Sequence, residues 1–202
     1  WTIPLLALTQ FGRWDEILAE PMPDASLRYA TAIARYARGV ALARKGDLAA
    51  ARRERDQLVP LRDTTEILFL DTNDYPAVTL LQIADALLEG ELAMAAGSVD
   101  AAVGHFERAV ALQDGLPYME PPFWYYPTRQ SLGAALLAAG RAGEAEAVYR
   151  RDLEDYPHNG WSMFGLAESL AAQGRTDEAA EVREMFTHVW ARADVELTGS
   201  RF

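Results

Sequence analysis

Apolar and small residues recur every three to four positions along most of this chain, in runs of about 12 to 18 residues. That spacing places them on one face of an α-helix. The runs come in pairs, and a glycine followed by a polar residue joins the members of each pair. The joining segments are Phe11-Gly12-Arg13-Trp14-Asp15-Glu16, Lys45-Gly46-Asp47-Leu48-Ala49, Ala96-Gly97-Ser98-Val99-Asp100, Ala139-Gly140-Arg141-Ala142-Gly143 and Gln173-Gly174-Arg175-Thr176-Asp177. The pattern predicts antiparallel helix hairpins. Each joining glycine ends the first helix in a left-handed conformation. Asp47, Ser98 and Thr176 stand where the second helix needs an N-cap.

The joining glycines at 12, 46, 97, 140 and 174 are 34, 51, 43 and 34 residues apart. Two of these intervals are equal, and the other two are longer by 17 and 9, which marks insertions. Seven residues before the joining glycine stand Gly39, Gly90, Gly133 and, in the last hairpin, Ala167. Five residues after it stand Ala51, Ala102, Ala145 and Ala179. Small residues at these two places let the backbones of a hairpin approach closely. Four residues beyond the alanine, Phe106 and Tyr149 fill the remaining gap, and Arg55 stands where such a ring is expected.

The run Leu132-Gly133, Leu136, Ala145, Tyr149 and Pro157 resembles the consensus of the tetratricopeptide repeat, whose period is 34 residues. The resemblance implies an all-α fold: a right-handed superhelical α-α solenoid of antiparallel helix pairs, about four and a half units long. The division it implies is a single solenoid over 1–202. It comprises a partial repeat at 1–31, repeats at 32–65, 83–116, 126–159 and 160–193, insertions at 66–82 and 117–125, and a tail at 194–202. In the partial repeat, Pro21 and Pro23 stop a short second helix beginning at Trp14. The first insertion reads as a loop with one helical turn around Thr65–Phe69. The second is interrupted by Pro117, Pro121 and Pro122 and cannot be continuous helix. The tail is expected to fold back over the last helix, because a solenoid needs its terminal apolar face covered.

Several segments also resemble the C-terminal half of a group of larger microbial tetratricopeptide-repeat proteins. They are Phe11–Leu18, Glu120–Pro127 with Arg129–Gly133, Asn159-Gly160-Trp161, and Trp190–Asp194 with Ser200-Arg201-Phe202. Members carry His-rich helical motifs in the N-terminal half, and these are absent from this chain. The chain begins at Trp1 without an initiator Met or the basic start of a signal peptide, so it reads as a fragment or a processed chain. The compartment stays open, with the cytoplasm slightly favoured.

Composition narrows the chemistry. The formal charge of −11 disfavours nucleic acid and anionic membranes as partners and favours basic ones. There is no Cys, which excludes disulfides, thiolate metal sites and Cys nucleophiles. No apolar run reaches the ~20 residues of a membrane span. His105, His158 and His188 have no partner at a metal-binding spacing, and no serine elbow or phosphate loop is present. The expectation is a non-enzymatic chain with no metal and no cofactor.

In tetratricopeptide repeats the first helix of each pair lines a concave groove. The resemblance places Tyr36 and Val40, Leu87 and Glu91, Gln130 and Ala134, and Phe164 and Glu168 on it. No Lys, Asn and Arg set of the kind that clamps a terminal carboxylate occurs there. The groove is apolar, aromatic and mildly acidic, which suits a basic or amphipathic protein or peptide segment. The densest aromatic run is Tyr118-Met119-Glu120-Pro121-Pro122-Phe123-Trp124-Tyr125-Tyr126-Pro127. Two readings of it stand. In one, Glu120, Trp124, Tyr125, Arg129, Gln130, Asn159 and Trp161 converge into an amphipathic pocket at the groove's mouth, a small-molecule or enzymatic site shared with an N-terminal half. In the other, the rings plug an enlarged joint between repeats. Self-association through the N-terminal end is a further expectation, because a solenoid cut before Trp1 exposes apolar surface.

Overall fold

The computed structural model describes residues 2–201. Trp1 and Phe202, which close the expected self-association surface and the tail motif, lie outside the described residues. Among the described residues there are eleven α-helices and no strand. They fall into two compact units, Trp1–Tyr126 and Pro127–Phe202.

The first unit holds α1 (Thr2–Gln10) and α2 (Trp14–Ala19), α3 (Arg28–Arg44) and α4 (Leu48–Leu58), a lone α5 (Thr65–Asp71), and α6 (Ala77–Ala95) with α7 (Val99–Asp114). The short first pair rests on α3, where Leu5 and Ile17 join Ala34, Ala37 and Ala41 in one apolar cluster. Charges fix that pair from outside. Lys45 reaches Asp15 at 2.6 Å, and Arg38 donates to the Leu18 carbonyl. The second unit holds α8 (Arg129–Ala138) with α9 (Ala142–Asp155), and α10 (Gly160–Ala172) with α11 (Thr176–Trp190).

All five joining glycines have positive φ, between 65° and 87°, as a left-handed helix end requires. Asp47 caps α4, accepting from the Ala50 N–H at 2.9 Å. Ser98 occupies the cap position of α7 without a side-chain cap bond. Thr176 does not cap α11. It is the first helical residue, and Arg175 holds the cap position.

Gly90 and Gly133 are the crossing points the pattern predicts. A Cβ on Gly90 would lie 2.3 Å from the Phe106 ring, and one on Gly133 2.3 Å from the Tyr149 ring. Gly39 differs. Its close neighbour is Leu88 on α6, at 2.6 Å, not a residue of its own hairpin. The reason is Arg55, a charged side chain at the ring position. It turns outward to Asp85 and Glu89, each at 2.7 Å, and Leu88 covers Gly39.

In the second unit, Glu146 ties α9 to the turn between α10 and α11. It accepts from Arg175 at 2.6 Å and from Arg150 and Gln173 at 2.8 Å. Burial works against its charge, but these three hydrogen bonds outweigh it and hold its carboxyl at about 2. The folded value is depressed, so the stabilisation is complete above the ordinary carboxylate range and is lost as pH falls through about 2. Glu146→Gln is therefore expected to cost about 1–2 kcal/mol at pH 7. Urea titrations across pH 7 to 2 should show the two proteins converging at the acid end.

Candidate functional site

In the first unit the second insertion, 117–125, folds onto α3, the first helix of its hairpin. Tyr36 on α3 is buried, and Trp124 meets it edge-on with ring centroids 5.5 Å apart. The Tyr36 and Tyr125 hydroxyls lie 3.1 Å apart. Burial pushes the Tyr36 hydroxyl well up, and Tyr125, Tyr126 and Glu91 add to the shift, so the groove end of Tyr36 stays neutral. Glu91 on α6 is buried, and Arg44 approaches its carboxylate at 3.8 Å. Trp124 is only 3% exposed.

The two insertions meet. Tyr75, from the first, packs edge-on to Phe123, from the second, at 5.8 Å, and to Tyr29 of α3 at 5.4 Å. Gln113, near the end of α7, donates to the Tyr126 carbonyl at 3.0 Å and ties down the far side of the loop. The result is two groups of rings, Tyr29–Tyr75–Phe123 and Tyr36–Trp124–Tyr125–Tyr126, worth their buried area plus a fraction of a kcal/mol to about 1.5 kcal/mol per ring pair. Glu120 takes no part. It is exposed and accepts from the Tyr118 hydroxyl at 2.7 Å. The Trp124 indole N–H is buried with no acceptor among the described residues.

The remaining candidates belong to the second unit. Arg129 is the first residue of α8 and half-buried. Gln130 is buried and donates to Asn159 at 3.2 Å, and Asn159 donates on to Asp152 at 2.8 Å. Ser162 donates to the same Asp152 oxygen, while the other oxygen is buried without a hydrogen bond. Burial raises the Asp152 carboxyl, against the Ser162 and Asn159 hydrogen bonds and the Arg129 charge. Trp161 meets Trp190 edge-on at 4.8 Å, and Phe164 meets Phe186 at 5.9 Å. Glu168 is exposed and pairs with Arg183 at 2.8 Å.

Sequence reasoning did not single out Asp152 or Ser162, and it named Trp190 and Ser200 only within segments that carry a resemblance, not as site residues. Asp152 carried a readable signal. It lies twelve residues after its joining glycine, where the other full repeats have Leu58, Ala109 and Phe186. A carboxylate at a core position needs hydrogen-bond partners, and Asn159 and Ser162 supply them. Among the described residues no cluster of three or more His, Asp or Glu side chains could hold a metal ion, and no helix is long and apolar enough to cross a membrane.

Paired helices with glycine turns, small residues at the crossings and rings filling the gaps define a helical-repeat protein. Sequence models of the tetratricopeptide repeat match residues 18–60 and 136–183. Both stretches are tetratricopeptide repeats by sequence, a kind of repeat that generally mediates protein–protein interaction and is typically non-catalytic. A protein of Aquifex aeolicus (strain VF5), described as an uncharacterized protein, is 34% identical over 70 residues. That match covers 35% of this chain and 9% of the relative's length.

Proposed function

We propose that this chain is a non-catalytic scaffold that binds extended or amphipathic protein segments on the first helices of its hairpins. The observation that supports this reading is that such helices already receive irregular, non-helical pieces of the same chain. Tyr36 takes Tyr125 in one unit, and Gln130 takes Ser200 in the other. A surface that holds a non-helical segment by ring faces and backbone carbonyls suits peptide recognition. The net charge of −11 favours basic segments over nucleic acid or anionic membranes. The likeness of Glu120–Pro127 and Trp190–Asp194 to longer proteins supports reading the chain as the C-terminal part of one.

The test is affinity capture with the full chain and with a Phe164→Ala/Glu168→Lys variant. Neither residue is fully buried, so the variant should fold. A bound partner should weaken at least about tenfold, which corresponds to ~1.4 kcal/mol. Capture of no partner, or of partners indifferent to both residues, refutes groove binding.

The second reading, a small-molecule site lined by the aromatic loop, has one observation in its favour: the buried Trp124 N–H without an acceptor. Trp124→Phe separates the two. Simple packing predicts a modest loss of thermal stability from the smaller ring, partly offset because an orphaned donor is removed. A ligand site predicts loss of a ligand-induced rise in melting temperature. Self-association is favoured by Ile3, which is 80% exposed on α1. Sedimentation velocity at high concentration should show dimers that Ile3→Glu abolishes.

A further inference from the structure

The segment after α11 has the form of a bound peptide. Burial alternates along it: Val195 is half-buried, Glu196 exposed, Leu197 buried, Thr198 exposed, Gly199 half-buried and Ser200 buried. Residues 195–197 alternate as an extended stretch does, and residues 198–200 bend, which turns Ser200 inward as well. Its polar contacts are specific. Trp190 donates its indole N–H to the Val195 carbonyl at 2.7 Å. Ser200 gives its hydroxyl proton to the Gln130 carbonyl at 3.1 Å, so the Tyr149 hydroxyl, 2.6 Å away, donates to Ser200.

The surface beneath it is fixed independently. The Tyr149 ring is clasped between Gly133 of α8 and Gly165 of α10, where added Cβ atoms would lie 2.3 and 2.2 Å from it. Trp190 is set against Trp161 and Gly160. Gln130 is tied to Asn159 and Asp152. A rigid receptor therefore holds a segment with no regular structure of its own. Among the described residues, three hydrogen bonds, the buried Leu197 side chain and the contacts of Arg201 hold the segment against the entropy of ordering about seven residues.

We propose that the surface formed by Gln130, Tyr149 and Trp190 is a peptide-binding groove held closed by the chain's own residues 195–201. The partner it fits is a protein segment with an aliphatic residue, a bend, and three positions after the aliphatic residue a serine or threonine followed by a basic residue. Leu197, Ser200 and Arg201 occupy those places now, and the Arg201 charge acts on Tyr149. This rests on the scaffold reading and adds the site, the sequence preference and the competitor.

The probe is a fluorescein-labelled peptide of residues 194–201, and the hosts are the full chain and a chain ending at Ala193. Fluorescence polarisation should show micromolar binding to the shortened chain. Binding to the full chain should be about 30-fold weaker, because a tethered tail competes at an effective concentration near 1 mM. A peptide carrying Leu197→Asp should not bind. If the shortened chain loses its helical circular dichroism, the full chain with Leu197→Asp and Ser200→Ala replaces it and should bind the unaltered peptide. A folded host of either kind that does not bind the peptide, or equal binding to open and full chains, overturns the proposal. Such a failure leaves the scaffold reading intact if captured partners still respond to Phe164→Ala/Glu168→Lys. Peptide binding without any captured partner does the reverse.

Discussion

Arg55→Ala is expected to destabilise the chain by about 3–5 kcal/mol, the range for removing one partner of a buried ion pair. The cost comes from Asp85, only 3% exposed, whose carboxylate receives Arg55 at 2.7 and 3.5 Å. Without the guanidinium that carboxylate is buried and uncompensated. Glu89 suffers less, because His105 at 3.4 Å and Arg108 at 3.7 Å also face it. Arg55→Phe restores the family's ring and should still destabilise, since Asp85 stays stranded. Adding Asp85→Leu removes the stranded charge. The double variant should return to within about 1 kcal/mol of the parent or exceed it, as apolar replacement of buried pairs often does. Urea denaturation of the parent, Arg55→Phe, Asp85→Leu and the double variant gives the coupling directly. Additive losses would show that Arg55 acts through something other than Asp85.

The same residue shows how far the sequence could be read. Glycine spacing specified the hairpins because a left-handed helix end is a local demand that glycine meets best. The pairing of Gly90 with Phe106 and Gly133 with Tyr149 was equally legible, since both members belong to one hairpin. Gly39 was misplaced because its neighbour depends on where Arg55 turns, and that depends on Asp85, 30 residues away. Thr176 missed the cap by one residue, the usual scale of boundary error. The candidate residues were harder. The aromatic insertion has no period, so nothing in its pattern says which ring goes inward. Trp124 went in and Glu120 stayed out because Tyr36 offers a ring face and nothing nearby offers Glu120 a cation. The tail's partner, Gln130, lies 70 residues from Ser200, and a backbone carbonyl leaves no mark in a sequence.

Tyr149→Ala should also cost about 3–5 kcal/mol, for a different reason. The ring is fully buried, and glycines flank it on two sides, so neither neighbour has a side chain to move into the space. Tyr149→Phe keeps the ring and should cost only about 1 kcal/mol, the value of one hydrogen bond. Its loss falls on Ser200 and the tail, so proteolysis near residue 195 should quicken while global unfolding barely shifts. Burial holds the Tyr149 hydroxyl above its ordinary range, so it remains a donor throughout the pH range in which the protein would be assayed. The clasp makes a sharper demand. Gly133→Ala or Gly165→Ala alone should cost about 1–3 kcal/mol through overpacking against the ring. In a Tyr149→Ala background either methyl enters vacated space, so its cost should vanish or turn into a gain. A coupling energy of at least ~1 kcal/mol between each glycine and Tyr149, measured by urea denaturation, would establish the ring as the element that joins α8 to α10. A coupling near zero would mean that the two helices are held together elsewhere and that the tail's receptor is less rigid than its geometry indicates.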